Sequence, residues 1–171
     1  FEAVDKGAEA FIVDRAVNIP SDKAVIQVED TTSALQDLAY YYRMKQKELK
    51  VIGITGSAGK TTTKDMTAAV LKEKYNVYKT SGNLNNLIGL PLSLLAMEGQ
   101  EDFAVLEMGM SKLGEIKKLA EIAVPDAGII TNVGPTHLES LKTVENVARG
   151  KKELIEELPE NGTAVLNFDD K

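Results

Sequence analysis

The sequence has no cysteine, which excludes disulfides, thiolate metal sites and cysteine nucleophiles together. That fits a reducing compartment. Positive charge is in the minority: 20 Lys+Arg stand against 26 Asp+Glu, a net charge of -6. Such a balance is a poor match for a general nucleic-acid binder. An anionic ligand would have to be held by a locally positive pocket and not by the overall field. No apolar run approaches the roughly 18 residues of a membrane-spanning helix. Internal repeats and low-complexity stretches are absent as well. The chain opens on Phe1, not Met, with no signal peptide behind it, and so reads as a piece of a longer chain.

What remains is the composition of a folded domain. Over 171 residues, 43% are hydrophobic and 27% charged, which excludes a disordered chain. Apolar runs alternate with amphipathic stretches, the pattern of a parallel α/β domain. Strands are predicted at 11–13, 25–28, 51–55, 77–79, 103–106, 127–131 and 163–166. Asp30 and Thr31 can cap a helix with Leu35, Leu38, Ala39 and Tyr42 on one face. A second helix, 62–74, carries Met66, Ala69 and Val70 at i, i+3, i+4 spacing. Helices over 114–123 and 143–158 complete the set, ended by Pro125 and by the Pro159–Gly162 turn. The polar run Arg43–Lys50 is either an exposed helix end or a hinge, and the hinge is the favoured reading. The expected organisation is an α/β fold with a mostly parallel sheet and flanking helices. Residues 1–48 would be the remnant of a small α/β N-terminal domain and 49–171 an incomplete central domain.

The most informative stretch runs from Val51 to Thr63, VIGITGSAGKTTT. A buried strand enters a glycine-rich loop and then a helix that opens with threonines. This order aims backbone N–H groups and the positive end of a helix dipole at one point. Glycines let the backbone approach phosphates without a Cβ in the way. Lys60 would add charge on the outer phosphates, and the Thr61 hydroxyl would ligate Mg²⁺. Thr55, Gly56, Ser57, Ala58, Gly59, Lys60, Thr61 and Thr62 form the candidate nucleotide-binding set. The spacing departs from the common Walker form, because Ile54 stands where that form has a glycine and the glycines fall at 53, 56 and 59. The plainer alternative is a Gly-rich turn followed by a surface lysine.

This GxxGxxGKTTT spacing resembles the Mur ligase family, the ATP-dependent amide-forming enzymes of peptidoglycan synthesis. Four further segments are similar to the MurF-type branch of that family. They are Ser81–Leu92 (SGNLNNLIGLPL), Glu107–Met110 followed by Gly114–Ile116 (EMGM and GEI), Thr131–Glu139 (TNVGPTHLE) and Val147–Lys151 (VARGK). The resemblance implies a cytoplasmic reaction in which ATP, UDP-N-acetylmuramoyl-tripeptide and D-alanyl-D-alanine give the muramoyl-pentapeptide, ADP and phosphate. It implies an acyl-phosphate intermediate, two Mg²⁺ sites and a monomeric parent enzyme. It also implies that strands before Phe1 and domains after Lys171 are missing, so that this piece alone would not turn over.

Individual residues carry alternatives. Glu107 ends a very apolar strand, where open α/β sheets bind ligands, and a carboxylate suits Mg²⁺; otherwise it would pair with a lysine. His137, the one histidine, is either a solvated or capping residue or, as the resemblance implies, part of a second Mg²⁺ site. Lys151 reads as a helix-surface lysine, whereas in Mur ligases the matching lysine is carbamylated and lies near the second metal. With Lys60, these three make up the implied catalytic set. Asn83, Asn85, Asn86 and Asn132 either make local turn bonds or, as the resemblance implies, face the muramoyl-peptide substrate. Two positions depart from the family pattern: Ala58 stands where asparagine is common, and Leu87 where histidine is frequent. The alternatives in function are a sibling amide ligase, either another Mur enzyme or the folylpolyglutamate synthetase type, and a non-catalytic nucleotide-binding module.

Overall fold

A computed structural model of the chain describes residues 2–170. The strands are β1 (Ala10–Val13), β2 (Ala24–Gln27), β3 (Lys50–Thr55), β4 (Val77–Lys79), β5 (Phe103–Glu107), β6 (Ala127–Ile130) and β7 (Thr163–Leu166). The helices are α1 (Glu2–Asp5), α2 (Thr31–Lys45), α3 (Lys60–Lys72), α4 (Gly89–Leu95), α5 (Glu115–Ala123), α6 (Leu138–Leu141) and α7 (Val144–Glu156). Every described strand pair is parallel. β1 and β2 form a two-stranded sheet, and the other five lie in the order β4-β5-β3-β6-β7. All seven predicted strands are present. Among the described residues, no helix is long and apolar enough to cross a membrane.

The five-stranded sheet is covered unequally. On one face α2, α4, α5 and α7 enclose a core that includes Val51, Leu90, Leu94, Leu106, Ile116, Leu119, Val147 and Leu154. On the other, α3 packs on β3, β4 and β5 over Ile54, Ala68, Val77 and Val105. β3 is therefore the central strand, and its helix lies opposite to those that follow β5 and β6. That is the switch-point geometry at which open α/β sheets bind ligands.

Two glycines set the distance between α7 and the sheet. Gly53 and Gly128 are register partners on β3 and β6. A Cβ on Gly53 would lie 2.9 Å from Leu154 Cδ1, and one on Gly128 would lie 3.1 Å from Leu154 Cγ. Leu154 can seat only because both side chains are missing. Its seating brings Lys151, one turn earlier on α7, over the ends of the strands.

α3 turns a different face inward from the one the spacing predicts, and α2 does so in part, since Ala39 and Tyr42 of its predicted face pack in or on the core. In α2 the buried residues are Gln36, Ala39 and Arg43, whereas Leu38 is exposed. In α3 they are Lys64 and Ala68, while Met66 and Val70 are 65% and 73% exposed. The Lys64 stem is apolar enough to pack on the sheet. The spacing does not predict α4: its seven residues are too few to show a period, Leu90 and Leu94 are buried while Leu92 is exposed, and Pro91 falls within its first turn, where it is tolerated.

The polar run at 43–50 is the end of α2 followed by a turn that Arg43 anchors, not a free hinge. Arg43 Nε donates to Ala123 O (2.9 Å) and Nη2 to Val124 O (3.1 Å), capping the C-terminus of α5. The same guanidinium lies 3.6 Å from Asp126 Oδ2, which also accepts from the Val51 amide at 2.9 Å. Asp30 caps the other end of α2 by accepting from Thr32 and Ser33, as its sequence position predicts. Replacing Arg43 by Met removes the side-chain donor from three carbonyls, those of Ala123, Val124 and Gln46, and is expected to destabilise the fold by about 2–3 kcal/mol. The midpoint of urea unfolding measures it, and an unchanged midpoint would show that the anchor contributes nothing.

Candidate active site

The phosphate loop begins where β3 ends. Gly56 cannot carry a side chain, because its Cβ would collide with Thr131 Oγ1. Gly59 takes a left-handed φ of +79° at the N-cap of α3 and supplies no side-chain cap. The first-turn amides of α3 are left facing outward, a ready anion site. Lys60 Nζ folds back over the loop and donates to Gly56 O at 2.8 Å. Thr62 is exposed on the same turn.

The neighbouring strands close on this loop from both sides. Glu107, at the end of β5, is only 4% exposed. Its Oε2 accepts from Thr61 Oγ1 and its Oε1 from Asn85 Nδ2, each at 2.9 Å, while its amide donates to Thr80 Oγ1. None of the ion pairs among the described residues includes it, so the alternative of a lysine partner is not realised. A buried carboxylate held by two neutral donors retains its appetite for a cation. Beyond β6, Thr131 Oγ1 donates to Ala58 O at 2.5 Å, and Asn132 Oδ1 accepts from the Ser57 and Ala58 amides. Ser57 Oγ accepts from the Gly134 amide at 2.9 Å and lies 3.1 Å from Thr136 Oγ1. The loop and the segment leading to His137 are thus one hydrogen-bonded unit.

A cavity of about 400 Å³ opens between these elements, lined among others by Thr55, Lys60, Asn85, Asn86, His137 and Lys151. Lys151 is 2% exposed and is not a surface lysine. Burial, and then the charge of Lys60, push its ammonium down to about 8. His137 occupies the N-cap of α6 with a left-handed φ of +54° and makes no side-chain cap bond. Thr55 Oγ1 is buried and has no partner among the described residues.

The asparagines separate. Asn85 holds Glu107. Asn86 lines the cavity, but its Oδ1 caps the amides of Ile88 and Gly89 (3.1 and 2.8 Å). Asn83 is exposed and lies off the cavity wall; its carbonyl accepts from the Asn85 amide. Asn132 meets the phosphate loop through its oxygen. Sequence reasoning missed Thr80, Thr131 and Thr136, since a threonine just past a strand or in a connecting segment carries no distinguishing signal until its partner is known.

Residues 54–171 match the Mur ligase middle domain. The chain belongs to the Mur ligase family. Every candidate residue above lies inside the matched span. The chain is 49% identical over 99% of its length to the UDP-N-acetylmuramoyl-tripeptide–D-alanyl-D-alanine ligase of Bacillus subtilis, and covers 37% of that protein. It is 40% identical to the Escherichia coli ligase of the same name, over 95% of this chain and 35% of that one. Among solved structures, MurF from Acinetobacter baumannii superposes with a TM-score of 0.92 at 35% identity, covering 99% of this chain and 37% of that one. Thermotoga maritima MurF, solved in complex with ADP, gives 0.90 at 42% identity, covering 99% of this chain and 39% of that one. The chain therefore spans less than two-fifths of the length of these relatives.

This Mur ligase site generates two expectations. Gly56→Ala pushes Thr131 out of its place and should weaken ADP binding at least about tenfold with the fold retained; calorimetric titration measures it, and unchanged affinity would refute the crowding argument. The second concerns pH. Native Lys151 loses its proton near 8 and unfolded lysine near 10.5, so between these values the unfolded state binds more protons. Stability should rise with pH across that window, by roughly 3 kcal/mol at most. Urea midpoints in carbonate-free buffer should show this rise in the wild type relative to Lys151→Met.

Proposed function

We propose that the full-length protein carrying this chain is an ATP-dependent ligase that joins D-alanyl-D-alanine to UDP-N-acetylmuramoyl-tripeptide. The observation that carries this reading is the Thr61–Glu107–Asn85 cluster, set at the mouth of a phosphate loop with a buried lysine across the cavity. The names of its relatives support it. In this reading residues 1–48 would end a UDP-binding domain, with α2 packed against α4 and α5 of the central ATP-binding domain that 49–171 would begin.

A carboxylate is a poor electrophile. Its oxygen attacks the γ-phosphorus, the bond to the β-phosphate oxygen breaks, and ADP leaves. The amine of the dipeptide then attacks the acyl carbon of the resulting acyl phosphate; phosphate departs and the amine proton is released. Such transfers need positioning and charge neutralisation more than covalent help from the protein. The α3 amides and Lys60 hold the phosphates. Asn85 fixes the Glu107 carboxylate so that its second oxygen stays beside the Thr61 hydroxyl.

The donor set fits Mg²⁺, which takes hard oxygen ligands and uses only one or two carboxylates beside substrate phosphates. Among the described residues no three His, Cys, Asp or Glu side chains form a metal cage, so any site must be completed by substrate and water. Thr61 and Glu107 would hold one Mg²⁺, and His137 with carbamylated Lys151 a second. Mg²⁺ there supplies charge neutralisation on the transferring phosphoryl group. As a cation, Lys151 would oppose a second metal. Its neutral Nζ can attack CO₂: an N–C bond forms, a proton leaves, and the side chain becomes an anionic carbamate. The cavity-facing Asn86 and the amide nitrogen of Asn132 would meet the muramoyl-peptide, and Asn83 would reach it from outside the cavity. The enzyme would act in the cytoplasm as a monomer, serving cell-wall synthesis and through it cell shape and division.

The test is phosphate release by the full-length protein, expected only when ATP, the UDP-tripeptide and D-alanyl-D-alanine are all present. Lys60→Met and Glu107→Gln should each lower the rate by about 10²–10³-fold. A preference for glutamate or a single amino acid as acceptor would reassign the protein to a sibling ligase. With ¹³C-bicarbonate, a carbamate resonance should appear and be lost in Lys151→Met.

A further inference from the structure

The donors of the phosphate loop fall into two sets. Asn132 Oδ1 accepts from the amides of Ser57 at 3.1 Å and Ala58 at 2.9 Å, and the Asn132 carbonyl accepts from Ser57 again at 3.1 Å. An amide oxygen carries partial negative charge and so fills two adjacent N–H groups much as an anion would. The amides that open α3 differ. Gly59 has no side chain to cap them, and Lys60, the first residue of the helix, lines the cavity. One half of the loop is thus closed by the protein itself and the other half is left for a ligand.

Only some side chains could close it. A carboxylate would make the same two bonds more strongly but would set a full negative charge beside the phosphates. An alanine would leave the Ala58 amide with no acceptor. Asparagine supplies the acceptor without the charge. It also stands five residues before His137, in the segment that Ser57 Oγ grips through Gly134 and Thr136.

We propose that Asn132 is a positioning residue of the nucleotide site: its neutral side chain braces the Ser57–Ala58 half of the phosphate loop and ties it to the segment bearing His137. The helix-start amides are thereby kept for phosphate. This inference rests on the nucleotide-binding reading above.

Asn132→Ala and the isosteric Asn132→Asp, in the full-length protein, test it with two readouts. Hydrogen exchange of the Ala58 amide without nucleotide reports the brace. It should quicken at least about tenfold in Asn132→Ala and stay close to wild type in Asn132→Asp. ADP affinity by calorimetry at low and high salt reports the charge. Asn132→Ala should bind about tenfold more weakly at both. Asn132→Asp should bind more weakly still at low salt, with a deficit relative to wild type that shrinks as salt is added. A merely structural role would make affinity follow thermal stability in both variants. Wild-type ADP affinity in Asn132→Asp, or unchanged Ala58 exchange in Asn132→Ala, overturns the proposal. If the wild type itself binds no ADP, the nucleotide reading fails, while the Ala58 exchange still decides whether the brace exists.

Discussion

Three parallel strand ends must meet at one point, and the register of the sheet decides that they do. Ile54 pairs with Glu107 and Thr55 with Ile130, so the ends of β5, β3 and β6 are level. The first residues past each end are then neighbours across strands separated by roughly 5 Å. A shift of one residue in β5 would turn Glu107 to the opposite face of the sheet, away from Thr61 and Asn85. The site is therefore fixed by strand pairing deep in the domain, and the loops supply only its last details. The glycines at 53 and 128 belong to the same constraint, since they let Leu154 settle and so aim Lys151 at the strand ends.

An acidic chain that receives anions has to concentrate its positive potential. Here that comes from the helix-start amides, from Lys60, and from Lys151 across the cavity. Burial, and then the charge of Lys60, disfavour the ammonium of Lys151. Glu107, on the other side of the phosphate loop, is held by the neutral donors of Thr61 and Asn85.

Much of this was legible in the sequence, for identifiable reasons. The strands were legible because they are short runs rich in β-branched and aromatic residues set between turn residues, and β4 and β7 match their predicted limits. The phosphate loop was legible because only a strand, glycines, a lysine and threonines in that order build it. Two things were not. The inward face of α3 and part of that of α2 were hidden because spacing marks more than one candidate stripe, and Gln36, Arg43 and Lys64 enter the interior through hydrogen bonds or an apolar stem. The partners of the site were hidden because they lie far apart in sequence: Asn132 meets Ser57 across 75 residues and Asn85 meets Glu107 across 22. Sequence spacing reports residues on one element, and these pairs exist only once the sheet has formed.

The chemistry of those partners follows a rule of its own. The side chains that brace the phosphate loop from neighbouring elements are neutral: Thr131 bonds Ala58, Asn132 bonds Ser57 and Ala58, and Asn85 holds Glu107 beside Thr61, whereas the carboxylates of Glu115 and Asp170 hold the amides of Ser111, Lys112 and Val133 farther out. Carboxylates could make several of these bonds and would make them stronger. Each would also lower the local potential where a polyphosphate has to sit, in a medium that screens charge poorly. Keeping the braces of the phosphate loop neutral leaves Glu107, among the described residues, as the carboxylate bonded to the start of α3 through Thr61. A neutral brace is thus suited to anion binding in an acidic protein, and the amides and hydroxyls around the loop are the means by which the fold provides it.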